Sequence, residues 1–298
     1  MQICAISVLY HPDQAQLQRQ QSALASSVQW RLWVDNAPAS PALSALASQS
    51  GASYLPLGEN LGIAAAQNRG IEWAREHGAS HVLLLDQDSI ASAQLVQQLA
   101  LLLAQVQKIH PHSLIAPRHQ LQSLGVISRF IGEKAVSAHL PFLQSTLIEC
   151  DCMIASGMLI PLSIIDLAGP MREELFIDLV DTEWCYRARA KGAHLFGLAS
   201  QQPQLLLQHA LGDGITRLWC VRWRHLLRYS PTRSYYQTRN AIALLNNPYQ
   251  PLSHRLSQLL AVAKLAIFNL LLTDQRWLRL KLLVRAAADG LRGRLGAL

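Results

Sequence analysis

Asp86 and Asp88 stand one residue apart in "LLLDQDS", directly after the apolar run Val82–Leu85. Two carboxylates at that spacing supply hard oxygen ligands for a divalent cation such as Mg²⁺ or Mn²⁺, and the cation's remaining positions suit phosphate oxygens. A third carboxylate, Asp35, ends the apolar stretch "LWVDNA", where it can accept hydrogen bonds from a base N–H or a ribose hydroxyl. A fourth group lies in "FIDLVDTEWCYRARAKG" (176–192), where Asp181 suits a general base and Asp178 competes for that role. Glu183 is four residues before Arg187 in the favourable order for a helical ion pair, which gives it a structural explanation. His209 follows an apolar run in "LLLQHALGD", and neutral imidazole suits a transition-type ion.

These groups act together only if strands and helices bring them to one edge. The first hundred residues alternate in period. Strands are expected over 3–9, 30–34, 53–56 and 81–85, and helices over 14–25, 41–48, 63–77 and 93–106. Such alternation predicts parallel βαβ units in a doubly wound α/β sheet, which binds ligands at the carboxyl ends of its strands, where Asp35, Asp86 and Asp88 fall. "ENLGIAAAQNRG" (59–70) puts Gly62 at a helix entry followed by small alanines, permitting close approach of ligand or sheet. After the first expected strand comes "LYHPDQ", without Gly-x-Gly-x-x-Gly, which argues against a classical dinucleotide-binding domain. The same segment lacks the Gly-rich basic loop expected of a nucleotidyltransferase.

Residues 107–150, broken by Pro111, Pro117, Gly125, Gly132 and Pro141, read as loops and short strands. Further on, 154–160 and 193–198 read as strands, and 163–167 and 182–190 as helices. From about Leu218 the chain reads as helical. The five cysteines are odd in number and scattered, which fits a reducing compartment and buried thiols. "MQICAISVLY" lacks a basic leader region, so a cytoplasmic protein is expected.

Charge divides the chain in two. Residues 1–215 carry 12 Lys+Arg and 17 Asp+Glu, and residues 216–298 carry 14 and 2. The basic tail holds "LLAVAKLAIFNLLL" (259–272), fourteen residues and too short to span a bilayer, and "RWLRLKLLVR" (276–285). Together they suggest attachment to an anionic membrane surface. A non-enzymatic nucleic-acid- or membrane-binding protein is the alternative of another class, but the Leu-rich tail lacks a recognisable nucleic-acid motif.

In their observed order, "SVLYHP", "VDN", "ENLGIAAAQNRG" and "LLLDQDS" resemble the family 2 inverting glycosyltransferases of the GT-A fold. "FIDLVDTEWCYRARAKG", "HALGD", "YYQTRNAIALLNNPY" and "DGLRGRLG" narrow the resemblance to bacterial dTDP-L-rhamnose-dependent rhamnosyltransferases. The resemblance implies a GT-A catalytic domain over 1–215 and a helical, membrane-associating C-terminal region over 216–298. It implies a donor nucleotide held by Tyr10, Asp35, Gly62, Asn68 and Asp86, and Mg²⁺ or Mn²⁺ held by Asp88, Asp86 and His209. Asp181 is the implied base and Glu183 the alternative, because family members often have Glu-Asp where this chain has Val180-Asp181. The implied partners are a sugar nucleotide, a glycan or lipid-linked acceptor, and the cytoplasmic face of the inner membrane. The implied process is cell-surface polysaccharide (O-antigen-type) biosynthesis. A family 2 enzyme using another sugar nucleotide is the nearest alternative. The motif around Arg187 and Arg189 does not reproduce Gln-x-x-Arg-Trp, so one sugar per encounter is expected.

Overall fold

The computed structural model describes residues 1–121, 125–136, 143, 145–209, 215–220, 222–227 and 229–298. The first half follows the expected alternation closely: β1 (Ile3–Leu9), α1 (Gln14–Leu24), β2 (Trp30–Asp35), α2 (Pro41–Gln49), β3 (Ser53–Pro56), α3 (Ile63–Glu76), β4 (His81–Asp86), β5 (Ser89–Ile90) and α4 (Ala93–Val106). Helix starts carry their own signals. The side chains of Asp13, Ser40 and Ser92 accept from backbone N–H groups in the first turns of α1, α2 and α4, and Pro41 occupies the first turn of α2.

Short strands follow: β6 (Ser113–Ala116), β7 (His119–Leu121), β8 (Val126–Ile127), β9 (Lys134–Ala135), β10 (Leu147–Glu149) and β11 (Leu159–Pro161). Then come α5 (Leu162–Ala168), α6 (Val180–Ala190), β12 (His194–Leu198) and β13 (Leu207–His209). The chain ends with β14 (Ile215–Cys220), β15 (Arg222–Leu227), α7 (Pro231–Ala243), α8 (Leu252–Leu272) and α9 (Arg276–Leu291).

Nine strands form the main sheet in the order β3-β2-β1-β4-β11-β6-β12-β10-β9. β1 pairs in parallel with both β2 and β4, and β12 with β6, while β11 enters antiparallel between β4 and β6. Along β1, Cys4, Ile6 and Val8 face one apolar cluster with Ala64, Ala66 and Ile71 of α3, and Ile3 and Ala5 face another with Leu95, Leu99 and Leu103 of α4. Helices therefore cover both sheet faces, which is why β1 and β4 are continuous apolar runs. A side chain at Gly70 would meet Ile6 at 2.5 Å, so this glycine lets α3 lie close on the sheet.

Three expectations are corrected. The strand expected over 154–160 is confined to Leu159–Pro161, because Ala155, Ser156, Gly157 and Met158 turn beside β4: the Gly157 N–H donates to the Leu84 carbonyl and Gly157 has φ +89°. The region from Leu218 does not begin as helix, since β14 and β15 pair as an antiparallel hairpin and helix resumes at Pro231. The apolar segment of the tail is not a fourteen-residue helix: α8 has 21 residues, long and apolar enough by length and composition to cross a membrane. The part of "HALGD" after His209 lies outside the described residues, as does Pro141.

Candidate active site

β1 brings the first two acidic groups together. Its Leu9 pairs with Asp35 and its Val8 with Asp86, so both carboxylates stand on one sheet rim at adjacent strand ends. The "DQDS" turn after β4 is held from below by two glutamines of α1. Buried Gln20 donates to the carbonyls of Asp86 (2.9 Å) and Ser89 (2.6 Å), and Gln16 donates to that of Asp88 (3.0 Å). Ser7 fixes the Gln20 amide by donating to its oxygen at 2.7 Å.

His209 arrives from 120 residues away because β13 pairs antiparallel with the two-residue β5, setting His209 opposite Ser89. Its Nδ1 lies 2.8 Å from the Ser89 hydroxyl and 3.4 Å from an Asp88 oxygen. One ligand atom each from Asp86, Asp88 and His209 fall within 4.8 Å of one another. Ser156 completes the frame: its hydroxyl donates to Ser89 (2.8 Å) and accepts from the Asp86 N–H (3.0 Å). Burial raises the carboxyl pKa of both aspartates, against the pull of the nearby His209, and their mutual repulsion raises that of Asp86 further. A convergent O,O,N set with this excess of buried negative charge fits a bound divalent cation of the Mn²⁺ or Mg²⁺ type.

Buried His119 of β7 stands edge-on to His209, with ring centroids 5.7 Å apart and its Nε2 2.8 Å from the Ser156 carbonyl. Burial, then His209, lowers its pKa to about 4, so it adds no positive charge beside the cation site at neutral pH. His119, Ser89, Ser156 and the two glutamines carry no motif. Only the adjacency of Ser89 to the aspartates could have singled one of them out.

Asp35 is 1% exposed. One of its oxygens accepts from the Tyr54 hydroxyl at 2.5 Å, and the other is buried without a protein partner, as suits an acceptor reserved for a ligand N–H or hydroxyl. Tyr10 is half exposed just past β1, with its backbone N–H bonded to the Gln87 side chain, so it borders the same rim. Two residues expected to bind the nucleotide make close contacts within the chain. Asn68 is buried, donating to the Met171 carbonyl and a Glu173 oxygen and accepting from the Met171 N–H, all within 2.9 Å. The space a side chain at Gly62 would need is filled by Phe176, whose carbonyl also accepts from the Ile63 N–H. Chain, not ligand, makes the close approach there.

Asp181 stands in the first turn of α6, receiving its own helix's Thr182 N–H at 2.7 Å and the Ala155 N–H at 3.3 Å. The second contact ties it to the turn that also carries Ser156, and thus to the cation site. Burial raises its carboxyl pKa to about 6, partly offset by those two N–H groups, with the charges of Asp86 and Asp178 adding to the rise. It opens on a cavity of about 150 Å³ whose walls include His119, Phe130, Met153 and Ile154. A partly shielded carboxyl that titrates just below neutrality is what general-base chemistry requires.

Both rivals are committed elsewhere. Arg233 of α7 grips Asp178 at 3.2–3.3 Å. Glu183 is 3% exposed and both its oxygens are taken by Arg187, each at 2.9 Å. The lone pairs of Glu183, the alternative base, are directed to a guanidinium. Burial of Glu183 raises the expected cost of losing this pair above the few tenths of a kcal/mol of an exposed helix pair, although partly buried Arg187 keeps its bonds to the Ala168 and Pro170 carbonyls. Glu183→Gln is thus expected to lower stability markedly in urea unfolding while the protein that remains folded turns over substrate normally.

Comparisons with known proteins agree with this geometry. No protein-family model matches the chain. The dTDP-rhamnosyl transferase RfbF of Shigella flexneri is 29% identical over 301 residues, covering 99% of this chain and 97% of its own. Among solved structures, S. aureus TarS superposes with a TM-score of 0.60 at 13% identity over 98% of this chain, which spans 49% of TarS. GalNAc-T7 with UDP, GalNAc and Mn²⁺ superposes at 0.57 with 12% identity, covering 88% of this chain and 54% of that one. The chain has the GT-A fold. In this fold the mostly parallel half of the sheet carries Asp35 and the paired aspartates, and α6 carries Asp181 beside the turn before β11.

Proposed function

We propose that this protein is a glycosyltransferase that moves L-rhamnose from dTDP-L-rhamnose, with inversion, to a glycan or lipid-linked acceptor during assembly of cell-surface polysaccharide. The observation that carries the reading is that the candidate cation-ligating set Asp86, Asp88 and His209 stands near Asp181, a carboxylate that, among the described residues, is held by backbone N–H groups and not by an arginine. The donor sugar rests on the likeness to the Shigella rhamnosyl transferase along the whole chain.

Asp35, with its partnerless oxygen, receives the base or ribose, and Tyr10 borders the same place. Asp86, Asp88 and His209 hold Mg²⁺ or Mn²⁺, with His209 inclining the set towards Mn²⁺. When bound, the cation neutralises charge developing on the departing diphosphate. Asp181 accepts the acceptor hydroxyl's proton as that oxygen attacks the anomeric carbon. A retaining double displacement would need a second free carboxylate as nucleophile, and the tethers on Asp178 and Glu183 count against it. A panel of dTDP-, UDP- and GDP-sugars with Mn²⁺ tests the reading by nucleoside diphosphate release and by NMR of the product's anomeric configuration. Release from dTDP-L-rhamnose with inversion is expected. Preference for another donor, or retention, would overturn it.

The tail favours an anionic membrane surface as the place of work. Along α8 and α9, Leu260, Ile267, Leu271, Trp277 and Val284 are exposed, Trp277 by 78%, with Arg276, Lys281 and Arg285 among them. α8 is nonetheless tied to the body: its Asn269 accepts from the Tyr229 N–H, and Arg255 bonds the Leu245 carbonyl. An interfacial position, with basic groups each adding roughly 1 kcal/mol near anionic lipid, accounts for both facts. Full-length protein is expected to float with anionic vesicles at low salt, and Leu260→Glu with Trp277→Glu to abolish the salt-resistant part. Removal of residues 255–298 is a poor probe, because α9 packs on α7: a side chain at Gly290 would meet the Arg239 carbonyl at 2.7 Å.

A further inference from the structure

The turn before α6 is conformationally unusual. Phe176, Asp178 and Leu179 all have positive φ, at 65°, 64° and 64°, and none is glycine. Such backbone persists only where its surroundings enforce it. α6 begins on Leu179, whose side chain supplies no cap, and its first turn contains Asp181.

What enforces the turn lies more than sixty residues away. Asn240 of α7 is fully buried, and its amide nitrogen faces the carbonyls of Leu175 (2.9 Å), Ile177 (2.8 Å) and Asp178 (2.9 Å). Its oxygen accepts from Arg239 at 2.9 and 3.0 Å. Arginine only donates, so this neighbour fixes the amide's orientation and turns the nitrogen towards the three carbonyls. Arg239, 1% exposed, adds a bond to the Leu175 carbonyl and another to that of Gly296. The chain end joins in, with the Gly296 N–H donating to the Glu174 carbonyl and Tyr236 stacking on Phe176 at 4.9 Å. These are the residues of "YYQTRN" and "GRLG", which carry no ligand-directed group in the site described above.

We propose that Asn240, oriented by Arg239, is a positioning residue that holds the left-handed 176–179 turn and thereby sets the Asp181 carboxylate against the attacking hydroxyl. The proposal rests on Asp181 being the base. Basic C-terminal helices thus complete the catalytic site rather than only attach it to a surface.

Asn240→Asp is the decisive variant: it keeps the size and the Arg239 bonds but sets acceptors against three carbonyls. In full-length protein with Mn²⁺ and dTDP-L-rhamnose, kcat is expected to fall by about 10²-fold, the scale of an ångström-sized misplacement. KM for donor and the calorimetric Kd for dTDP with Mn²⁺ should stay near wild type, because the cation and nucleotide groups are on other elements. Adding Leu179→Gly, for which a left-handed φ is unstrained, is expected to restore a substantial part of kcat. An Asn240→Asp protein that melts earlier yet keeps wild-type kcat would overturn the proposal, as would failure of Leu179→Gly to restore kcat in a folded double variant. If Asp181→Asn alone retains turnover, the base assignment falls and the proposal with it. If Asp181→Asn is inactive and Asn240→Asp is not, only the positioning role falls.

Discussion

Asp181→Asn is expected to lower turnover by about 10²-fold or more while leaving the affinity for donor and cation near wild type. The carboxylate receives N–H groups from Thr182 and Ala155 and is not among the cation ligands, so its loss removes a proton acceptor and not a binding contact. The same change should not reduce stability. A carboxyl whose folded pKa, at about 6, exceeds its unfolded value binds more protons when folded. Its contribution to stability is therefore fully present below the unfolded pKa and is lost as pH rises through about 6. At pH 7.5 an amide avoids that cost but gives up one of the two N–H acceptors, so the variant's melting temperature should stay near the parent's. In the parent, kcat should rise with pH through about 6 and then level, since the base must be ionised. A flat profile between pH 5 and 8, or an active Asp181→Asn protein, would remove Asp181 from its role.

Asp88→Asn is expected to abolish Mn²⁺-dependent dTDP binding in calorimetry with little effect on folding. Asp88 is only partly buried, and its contacts to the frame run largely through its backbone carbonyl, which the variant retains. Exchange of a carboxylate for an amide removes a charged ligand from a three-residue set in which His209 lies 3.4 Å away. The raised carboxyl pKa of Asp86 and Asp88 adds a pH signature: cation affinity should weaken as pH falls, because protons and cation compete for the same oxygens. Unchanged Mn²⁺-dependent affinity in Asp88→Asn would dismiss the cation site. Gln20→Ala supplies a graded control, since it removes two bonds under the "DQDS" turn without touching a ligand atom.

Much of this protein is legible in its sequence where interactions are local. Hydrophobic period and capping residues set most of β1 to α4 almost to the residue, because β1 and β4 are largely buried apolar runs and α1, α2 and α4 each carry a side-chain cap. The positions of Asp35 and Asp86 follow directly, since a strand end in a parallel sheet is a fixed address on the rim. Glu183 and Arg187 are an (i, i+4) pair by spacing alone. Beyond these, only tertiary structure decides. That β11 runs antiparallel in the middle of the sheet depends on a turn at Gly157 set by its contact with β4, not by local pattern. The meeting of His209 with Ser89 requires a strand pair separated by 120 residues, and no spacing rule reaches that far. Sequence spacing could not show the long-range contacts of Asn68 with Met171 or of Gly62 with Phe176. Likewise spacing could not distinguish the surroundings of Asp178, Asp181 and Glu183: Arg233 grips Asp178 and Arg187 grips Glu183, whereas Asp181 receives backbone N–H groups and burial raises its pKa.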